Sequence, residues 1–183
     1  MELNDPFEFL GADLSDPKRR KILKDTKSEL AQTKGLLCFS ENWNNPLLWG
    51  HYADKHKGIC LGFDVSDHLL SKVAYVKERF PNPAVMDLQY MEKLLLTKFD
   101  HWAYEAEYRS FVALENHIDG LFYSNFSQDL KLKQVIVGDQ SKITRIQLAE
   151  ALGESADGTE VLKARPAFTS FDVTIQNNST LWV

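Results

Sequence analysis

The pattern of apolar and polar residues along the chain predicts alternating strands and helices. Short apolar runs bounded by glycine, proline or polar residues indicate strands, and they cover residues 35–40, 59–65, 72–76, 121–123, 134–138, 161–164 and 171–175. Apolar residues at three- and four-residue spacing indicate helices, over residues 16–34, 47–54, 84–98 and 143–152. The order of these segments predicts an α+β fold, with a mixed, mainly antiparallel sheet of about seven strands and flanking helices.

The stretch of residues 102–114 shows the strongest alternation, and much of the interpretation depends on it. Read at period two, aromatic and aliphatic residues from Trp102 to Leu114 fall on one side, whereas Glu105, Glu107 and Arg109 fall on the other. We predict a strand that buries its aromatic side. A helix is the alternative for the first half, where Glu105 and Arg109 would form an ion pair four residues apart.

Glu105 and Glu107 form the candidate acidic site of this stretch. On a strand their carboxylates would lie about 7 Å apart, given a rise of about 3.3 Å per residue. Two acids this close, with Arg109 beside them, suit an electrostatic or acid/base site. The other interpretation is a solvated strand face that carries an ordinary Glu–Arg pair.

Composition narrows the class of protein. The 183 residues are 44% hydrophobic and 26% charged, which is typical of one soluble globular domain spanning residues 1–183. The net charge of −5 does not indicate a nucleic-acid partner, and we expect the basic run of residues 18–21 to form the solvated face of a helix.

No apolar run is long enough to cross a membrane, and the first residues do not resemble a secretory signal. We therefore expect a cytoplasmic protein.

The cysteine and histidine residues do not predict a metal site or a nucleophile. Cys38 and Cys60 lie in apolar runs, and without an export signal we expect both to be buried free thiols. His51 and His56 are five residues apart, which does not place both on one helical face, and the chain has no Cys-x-x-Cys pair. Ser40 ends a predicted strand, but the G-x-S-x-G pattern of a serine nucleophile is absent around it.

The helix over residues 47–54 is a second candidate site. Trp49, His51 and Tyr52 offer stacking surface and hydrogen-bonding tips, which suit a ring-bearing ligand such as a base. The alternative is plain aromatic packing, in which Asp54, three residues beyond His51, orients the imidazole. We expect the stripe that includes Trp49 and Tyr52 to face the core, so that His51 faces the same cleft as the acidic strand.

Four segments together resemble the DUF2971 family, a family of bacterial proteins of unknown function. They are the turn Asn4-Asp5-Pro6-Phe7-Glu8, the strand end Cys38-Phe39-Ser40-Glu41, the helix and strand of residues 49–64, and Trp102-Ala103-Tyr104-Glu105-Ala106-Glu107-Tyr108-Arg109. The resemblance extends over most of the chain as far as Gly138. The combination is specific although each segment alone is not, and the family name implies no activity.

A strand that ends at Ser40, followed later by a Glu-x-Glu strand, is also similar to the serine and glutamate elements of ADP-ribosyltransferases. That similarity implies that Glu107 stabilises the oxocarbenium-like transition state of NAD cleavage, that Glu105 positions the acceptor, and that Ser40 positions Glu107. A fixed carboxylate suits this role because positive charge develops on the sugar. NAD would then be the substrate, with candidate binding residues His51, Tyr52, Trp49 and Arg109. Glu8, in the first turn, is expected to lie outside this site.

The N-terminus departs from the ADP-ribosyltransferase pattern. Those enzymes place an NAD-gripping Arg or His on a strand before the first turn. Here only Met1, Glu2 and Leu3 precede the turn, so that residue is either missing or supplied from elsewhere.

These observations leave three functions open. The first is an ADP-ribosyltransferase-like enzyme that cleaves the nicotinamide–ribose bond of NAD in bacterial defence or toxin biology, with an acceptor that the sequence does not identify. The second is a non-catalytic module that binds a small ligand, such as a nucleotide, or a protein partner in the same aromatic and acidic cleft. The third is a hydrolase or nuclease that would use Glu105 and Glu107 to hold magnesium, although we expect no metal.

Overall fold

The computed structural model describes residues 5–81, 83 and 87–182. Its helices and strands, in chain order, are α1 (Pro17–Thr33), β1 (Lys34–Ser40), α2 (Pro46–Tyr52), β2 (Ile59–Val65), β3 (Ser71–Lys72), β4 (Ala74–Val76), α3 (Leu88–Leu95), β5 (Thr97–Phe99), β6 (Glu107–Ala113), β7 (Asn116–Ile118), β8 (Leu121–Tyr123), β9 (Leu130–Val137), α4 (Arg145–Leu152), β10 (Glu160–Pro166) and β11 (Val173–Ile175). The predicted α+β class is confirmed. The strands of the described residues are divided among four sheets.

The chain forms two compact units. The first unit consists of Met1–Glu41 and Asp67–Asn125, and the second of Asn42–Ser66 and Phe126–Val183. The expectation of one domain over residues 1–183 stays a prediction. Within the described part of the chain, no helix is both long and apolar enough to span a bilayer.

The first unit is built on a three-stranded antiparallel sheet in the order β1-β6-β3. β1 and β6 pair along their whole length, from Lys34 opposite Ala113 to Ser40 opposite Glu107. α1 begins where the sequence predicts, because Asp16 caps its first turn with a side-chain hydrogen bond and a proline follows at the first helical position. The unit also contains the parallel pair β4–β5.

The hairpin of β7 and β8 exposes apolar side chains in the first unit. Its turn contains Asp119 and Gly120, which both have positive φ, as tight hairpin turns require. Four apolar residues are about half exposed, namely Ile118, Leu121, Phe122 and Tyr123. Only β8 was predicted from the sequence, because β7 is too short to show a clear alternation.

The second unit contains a four-stranded sheet in the order β11-β10-β9-β2. The centre of this unit is β9, whose Val135, Ile136 and Val137 are at most 1% exposed. Ile136 packs with Trp49 and other apolar residues, whereas Val135 and Val137 pack with Leu148 and a second group. A strand buried on both faces reads as a continuous apolar run, so the sequence predicts the second half of β9 over residues 134–138. It misses the alternating first half, residues 130–133.

Residues 102–114 do not form one continuous strand. Asp100–Glu105 forms a 3₁₀ helix, Ala106 adopts a left-handed conformation with φ of 44°, and β6 begins at Glu107. The predicted faces are also reversed, since Glu105, Glu107 and Arg109 are buried, whereas Tyr108 on the aromatic side is only partly buried. The prediction was wrong because charges that bind one another tolerate burial, which a polarity pattern does not indicate.

The structure differs from the prediction at the helix of residues 84–98 and at the strand of residues 72–76 before it. α3 begins at Leu88 after its cap Asp87, so Lys98 lies in β5 rather than in a helix; residues 84–86 lie outside the described residues. The predicted strand of residues 72–76 is interrupted at Val73, which separates β3 from β4.

Two residues predicted to be buried are exposed. Tyr52, the last residue of α2, is 56% exposed, whereas Trp49 and Ala53 of the same predicted stripe are buried. Cys38, on the edge strand β1, is exposed. Both Cys38 and Cys60 are free thiols, as predicted.

Gly138, at the end of β9, provides a test of the packing of the second unit. A methyl group at this position would contact the carbonyl oxygen of His56 and would lie 2.8 Å from the His56 carbonyl carbon and 2.9 Å from the Gly58 carbonyl oxygen. We expect Gly138→Ala to lower the free energy of unfolding by about 2 kcal/mol or more, because backbone atoms do not yield easily to overpacking. Urea denaturation of the two proteins measures this difference.

The matched control is Gly50→Ala, inside α2. A methyl group there meets no atom within 4 Å, and alanine favours a helix over glycine by about 0.5–1 kcal/mol. A destabilised Gly50→Ala protein, or an unaffected Gly138→Ala protein, would contradict this packing.

Candidate functional site

β5 and β6 bring the predicted acidic residues and a lysine together in the first unit. Glu107 and Arg109 are two residues apart on β6, so their side chains share a face. Glu105 ends the preceding 3₁₀ helix, and the left-handed Ala106 turns the chain between the two acids. Lys98 on β5 donates hydrogen bonds to both Glu105 and Glu107.

Glu107 is held at both carboxylate oxygens. Its Oε1 accepts a hydrogen bond from Arg109 Nε at 2.7 Å, and its Oε2 accepts from Arg109 Nη2 at 3.1 Å and from Lys98 Nζ at 3.2 Å. The backbone amide of Glu107 donates to the hydroxyl of Tyr75 at 2.8 Å. The negative charge of Glu107 is therefore compensated by two cations in a fixed geometry.

Glu8 joins these four residues, and we refer to Glu8, Lys98, Glu105, Glu107 and Arg109 as the ion cluster. Glu8 lies in the N-terminal turn of residues 5–10, and its Oε1 accepts from Arg109 Nη2 at 2.7 Å. Its Oε2 lies 3.7 Å from Lys98 Nζ. The expectation that Glu8 lies outside the site was wrong, because 101 residues separate it from Arg109 and no local pattern indicates their pairing.

The ion cluster is buried. Each of its five residues is at most 7% exposed, and Arg109 is 1% exposed. Arg109 Nη1 also donates to the carbonyl oxygen of Leu95 at 2.5 Å. Buried charges are costly unless they are paired and hydrogen-bonded, and here three carboxylates face two cations. One negative charge is in surplus when all five groups are ionised.

Burial and pairing have opposite effects on the carboxyl groups. Burial raises the pKa of Glu107, but the hydrogen bonds and charge of Arg109, together with the charge of Lys98, outweigh it and hold that pKa below its usual value. Burial dominates for Glu8, whose pKa is raised although Arg109 and Lys98 oppose the shift. Burial lowers the pKa of Arg109, but Glu107 and Glu8 more than reverse this. Of these two acids, Glu107 is the one that keeps its charge more readily.

Ser40 lies directly opposite Glu107 in the register of β1 and β6. Side chains of directly opposed residues share a face of the sheet, with Cβ atoms about 4.5–5.5 Å apart. The structure therefore brings Ser40 together with Glu107, and it places Glu105 and Arg109 in the same unit around Lys98. The catalytic and binding roles assigned to these residues stay predictions.

Cys38 lies opposite Arg109 in the same register. Although the residue is exposed overall, its thiol hydrogen-bonds to Glu107. Burial of the thiol, and then the negative charge of Glu107, raise the pKa of Cys38 to about 12. The thiol is therefore protonated at neutral pH and does not provide a nucleophile.

The aromatic helix α2 belongs to the second unit. Trp49 is buried, and its indole Nε1 donates to the carbonyl oxygen of Trp43 at 2.6 Å. His51 and Tyr52 are exposed, with ring centroids 6.3 Å apart in an edge-to-face arrangement. The structure places Trp49 in the core and His51 and Tyr52 on the surface. A cleft shared by His51 and the acidic strand stays a prediction, because it joins residues of two units.

The described residues do not provide a metal site. Within residues 5–81, 83 and 87–182, no group of three or more His, Cys, Asp or Glu side chains is arranged to hold a metal ion. Glu105 and Glu107 share the ammonium group of Lys98, which takes the position of any cation that both acids would hold. The magnesium-dependent alternative gains no support from this part of the chain.

Comparisons with protein-family models, with curated proteins and with solved structures found no match to this chain.

Arg109→Met tests whether the ion cluster stabilises the first unit. The change removes the guanidinium but keeps an unbranched apolar stem, so it leaves Glu107 and Glu8 buried without their main partner. Loss of one partner of a buried ion pair typically costs about 3–5 kcal/mol. We expect a decrease of this size in the free energy of unfolding, measured by guanidinium denaturation at neutral pH.

Lys72→Met is the matched control, because Lys72 forms an exposed ion pair with Glu41 in the same unit. Exposed pairs contribute little to stability, so this variant should unfold close to wild type. Equal effects of the two substitutions would show that the ion cluster has no special structural role.

Proposed function

We propose that this protein is a non-catalytic module that binds a ring-bearing small ligand, such as a nucleotide, and that its ion cluster is structural. The observation that carries the proposal is the pairing of Glu107. Both of its carboxylate oxygens accept hydrogen bonds from the buried cations Arg109 and Lys98. A carboxylate stabilises a developing oxocarbenium ion only when its charge is available to the sugar. Here Arg109 and Lys98 already neutralise that charge, and separating the buried pair costs free energy.

The binding surface in this proposal lies on α2. The buried face of this helix, with Trp49 and Ala53, anchors it to the core of the second unit. His51 and Tyr52 of the same helix are exposed to solvent as adjacent rings. An exposed ring on a firmly held helix supplies a stacking platform for a planar ligand at a small entropic cost.

An ADP-ribosyltransferase-like enzyme that cleaves NAD is the second candidate. It is favoured by the register that sets Ser40 directly opposite Glu107, as the resemblance to those enzymes implies. For this function a substrate would have to displace Arg109 or Lys98 from Glu107. Glu105 would then remain the residue that positions the acceptor.

Isothermal titration with ADP-ribose and NAD tests the binding module. Base–aromatic stacking contributes about 1–3 kcal/mol per base, so we expect Tyr52→Ala to weaken binding by about five- to 150-fold. Tyr123→Ala is the control, because Tyr123 is a similarly exposed tyrosine in the first unit. Absence of binding at millimolar ligand, or equal weakening by both substitutions, would refute a nucleotide site on α2.

Nicotinamide release distinguishes the two candidates. We expect wild type to release no nicotinamide from NAD above the background without protein. Release that Glu107→Gln reduces by about a hundred- to a thousandfold, while the variant remains folded by circular dichroism, would establish the enzyme instead. Glu41→Gln, which changes an exposed acid of the same unit, is the control.

A further inference from the structure

The N-terminal turn of residues 5–10 supplies Glu8, a member of the ion cluster that lies outside every helix and strand. Two local backbone hydrogen bonds, of 3.2 and 2.8 Å, hold this turn together. Immediately after it, Gly11 and Asp13 form backbone hydrogen bonds with Phe80. Backbone hydrogen bonds thus hold the chain from Gly11 onward, so opening of the turn mainly breaks side-chain contacts. These include the hydrogen bond from Lys27 Nζ to the Glu8 carbonyl oxygen and the packing of Leu10 against the cluster around Leu23.

Two features besides the buried charge of Glu8 destabilise the turn in its closed position. Phe9 has φ of 62°, a left-handed conformation that is unfavourable for a bulky residue. Asp5 is buried, and its Oδ2 accepts no hydrogen bond within the described part of the chain. A buried polar atom without a partner is destabilising. Opening of the turn would relieve both costs.

The charge balance of the ion cluster indicates that a proton on Glu8 stabilises the turn in its closed position. With Glu8 ionised, the buried cluster contains three carboxylates and two cations. With a proton on Oε2 of Glu8, the carboxylates of Glu105 and Glu107 balance Lys98 and Arg109, while Oε1 of Glu8 still accepts from Arg109 Nη2. Glu8 is also the acid that can leave most simply, because it moves with a short turn rather than with a paired strand.

We propose that the N-terminal turn is a proton-dependent latch on the ion cluster, closed while Glu8 carries a proton and open when Glu8 is ionised. The latch lies in the first unit and does not depend on ligand binding at α2. Its opening exposes one side of Arg109, which the Glu8 carboxyl and the ring of Phe9, 5.4 Å from the guanidinium carbon, cover in the closed state.

The direction of the pH dependence is set by the environment of Glu8. Burial raises its pKa above the ordinary value of 4.5 in spite of the neighbouring cations. A proton is therefore bound more tightly when the turn is closed, so the closed state is favoured at acid pH and loses stability as the pH rises through the raised pKa. The charged or titratable groups facing Glu8 are Arg109 and Glu107 of β6, Lys98 of β5, Cys38 of β1, and Lys27 of α1, whose Nζ donates to the Glu8 backbone carbonyl oxygen.

Hydrogen exchange of the full chain between pH 4 and pH 8, a range that begins below the ordinary glutamate pKa of 4.5, tests the latch. The protection factors of the Glu8 and Leu10 amides, corrected for intrinsic exchange, report opening of the turn. We expect them to fall with rising pH by up to about tenfold per pH unit and then to level off. The amides of β6 serve as the reference and should keep their protection if only the turn opens.

Glu8→Gln imitates the protonated side chain, so its turn should stay protected at every pH. Asp5→Asn and Glu41→Gln should keep the wild-type pH dependence, which separates Glu8 from a nearby acid of the turn and from an exposed acid of the unit. Protection in wild type that is constant, or that rises with pH, would overturn the proposal. So would a Glu8→Gln protein with an unchanged pH dependence; the wild-type measurement alone is decisive if that variant does not fold.

Discussion

The two-point ion pair between Arg109 and Glu107 is the interaction on which the first unit depends. Burial of a guanidinium requires a partner for its N–H groups, and Arg109 finds them in Glu107 on its own strand, in Glu8 and in the Leu95 carbonyl. These contacts connect the central strand of the sheet with the N-terminal turn and with the end of α3. The same contacts, together with Lys98, occupy both carboxylate oxygens of Glu107.

Most helices and strands could be predicted because their signals are local. Asp16 and Asn45 each precede a proline and cap a helix through the side chain, so α1 and α2 begin where these pairs stand. The apolar run of β9 is equally clear, because its residues pack on both faces. The opposition of Ser40 and Glu107 was expected only from the resemblance to ADP-ribosyltransferases, because the predicted strand of residues 102–114 did not start at Glu107.

Other features depend on distant residues, and the sequence could not reveal them. Alternation predicts which side of a strand is apolar, but β6 buries its charged side because Lys98 and Glu8 arrive from other parts of the chain. The left-handed Ala106 has no sequence signal, since alanine usually avoids that conformation. Tyr52 and Trp49 looked equivalent on α2, but only Trp49 is buried, and Tyr52 at the end of the helix is exposed.

The exposed β7–β8 hairpin affects how molecules of this protein behave together in solution. Among the described strands β8 pairs with β7 alone, so its other edge has no strand beside it. Leu121, Phe122 and Tyr123 of β8 include no lysine or proline that would discourage pairing there. Repulsion between molecules of net charge −5 opposes such contacts, and salt weakens it as the screening length falls to about 3 Å at 1 M. We therefore expect colloidal stability to decrease as ionic strength increases.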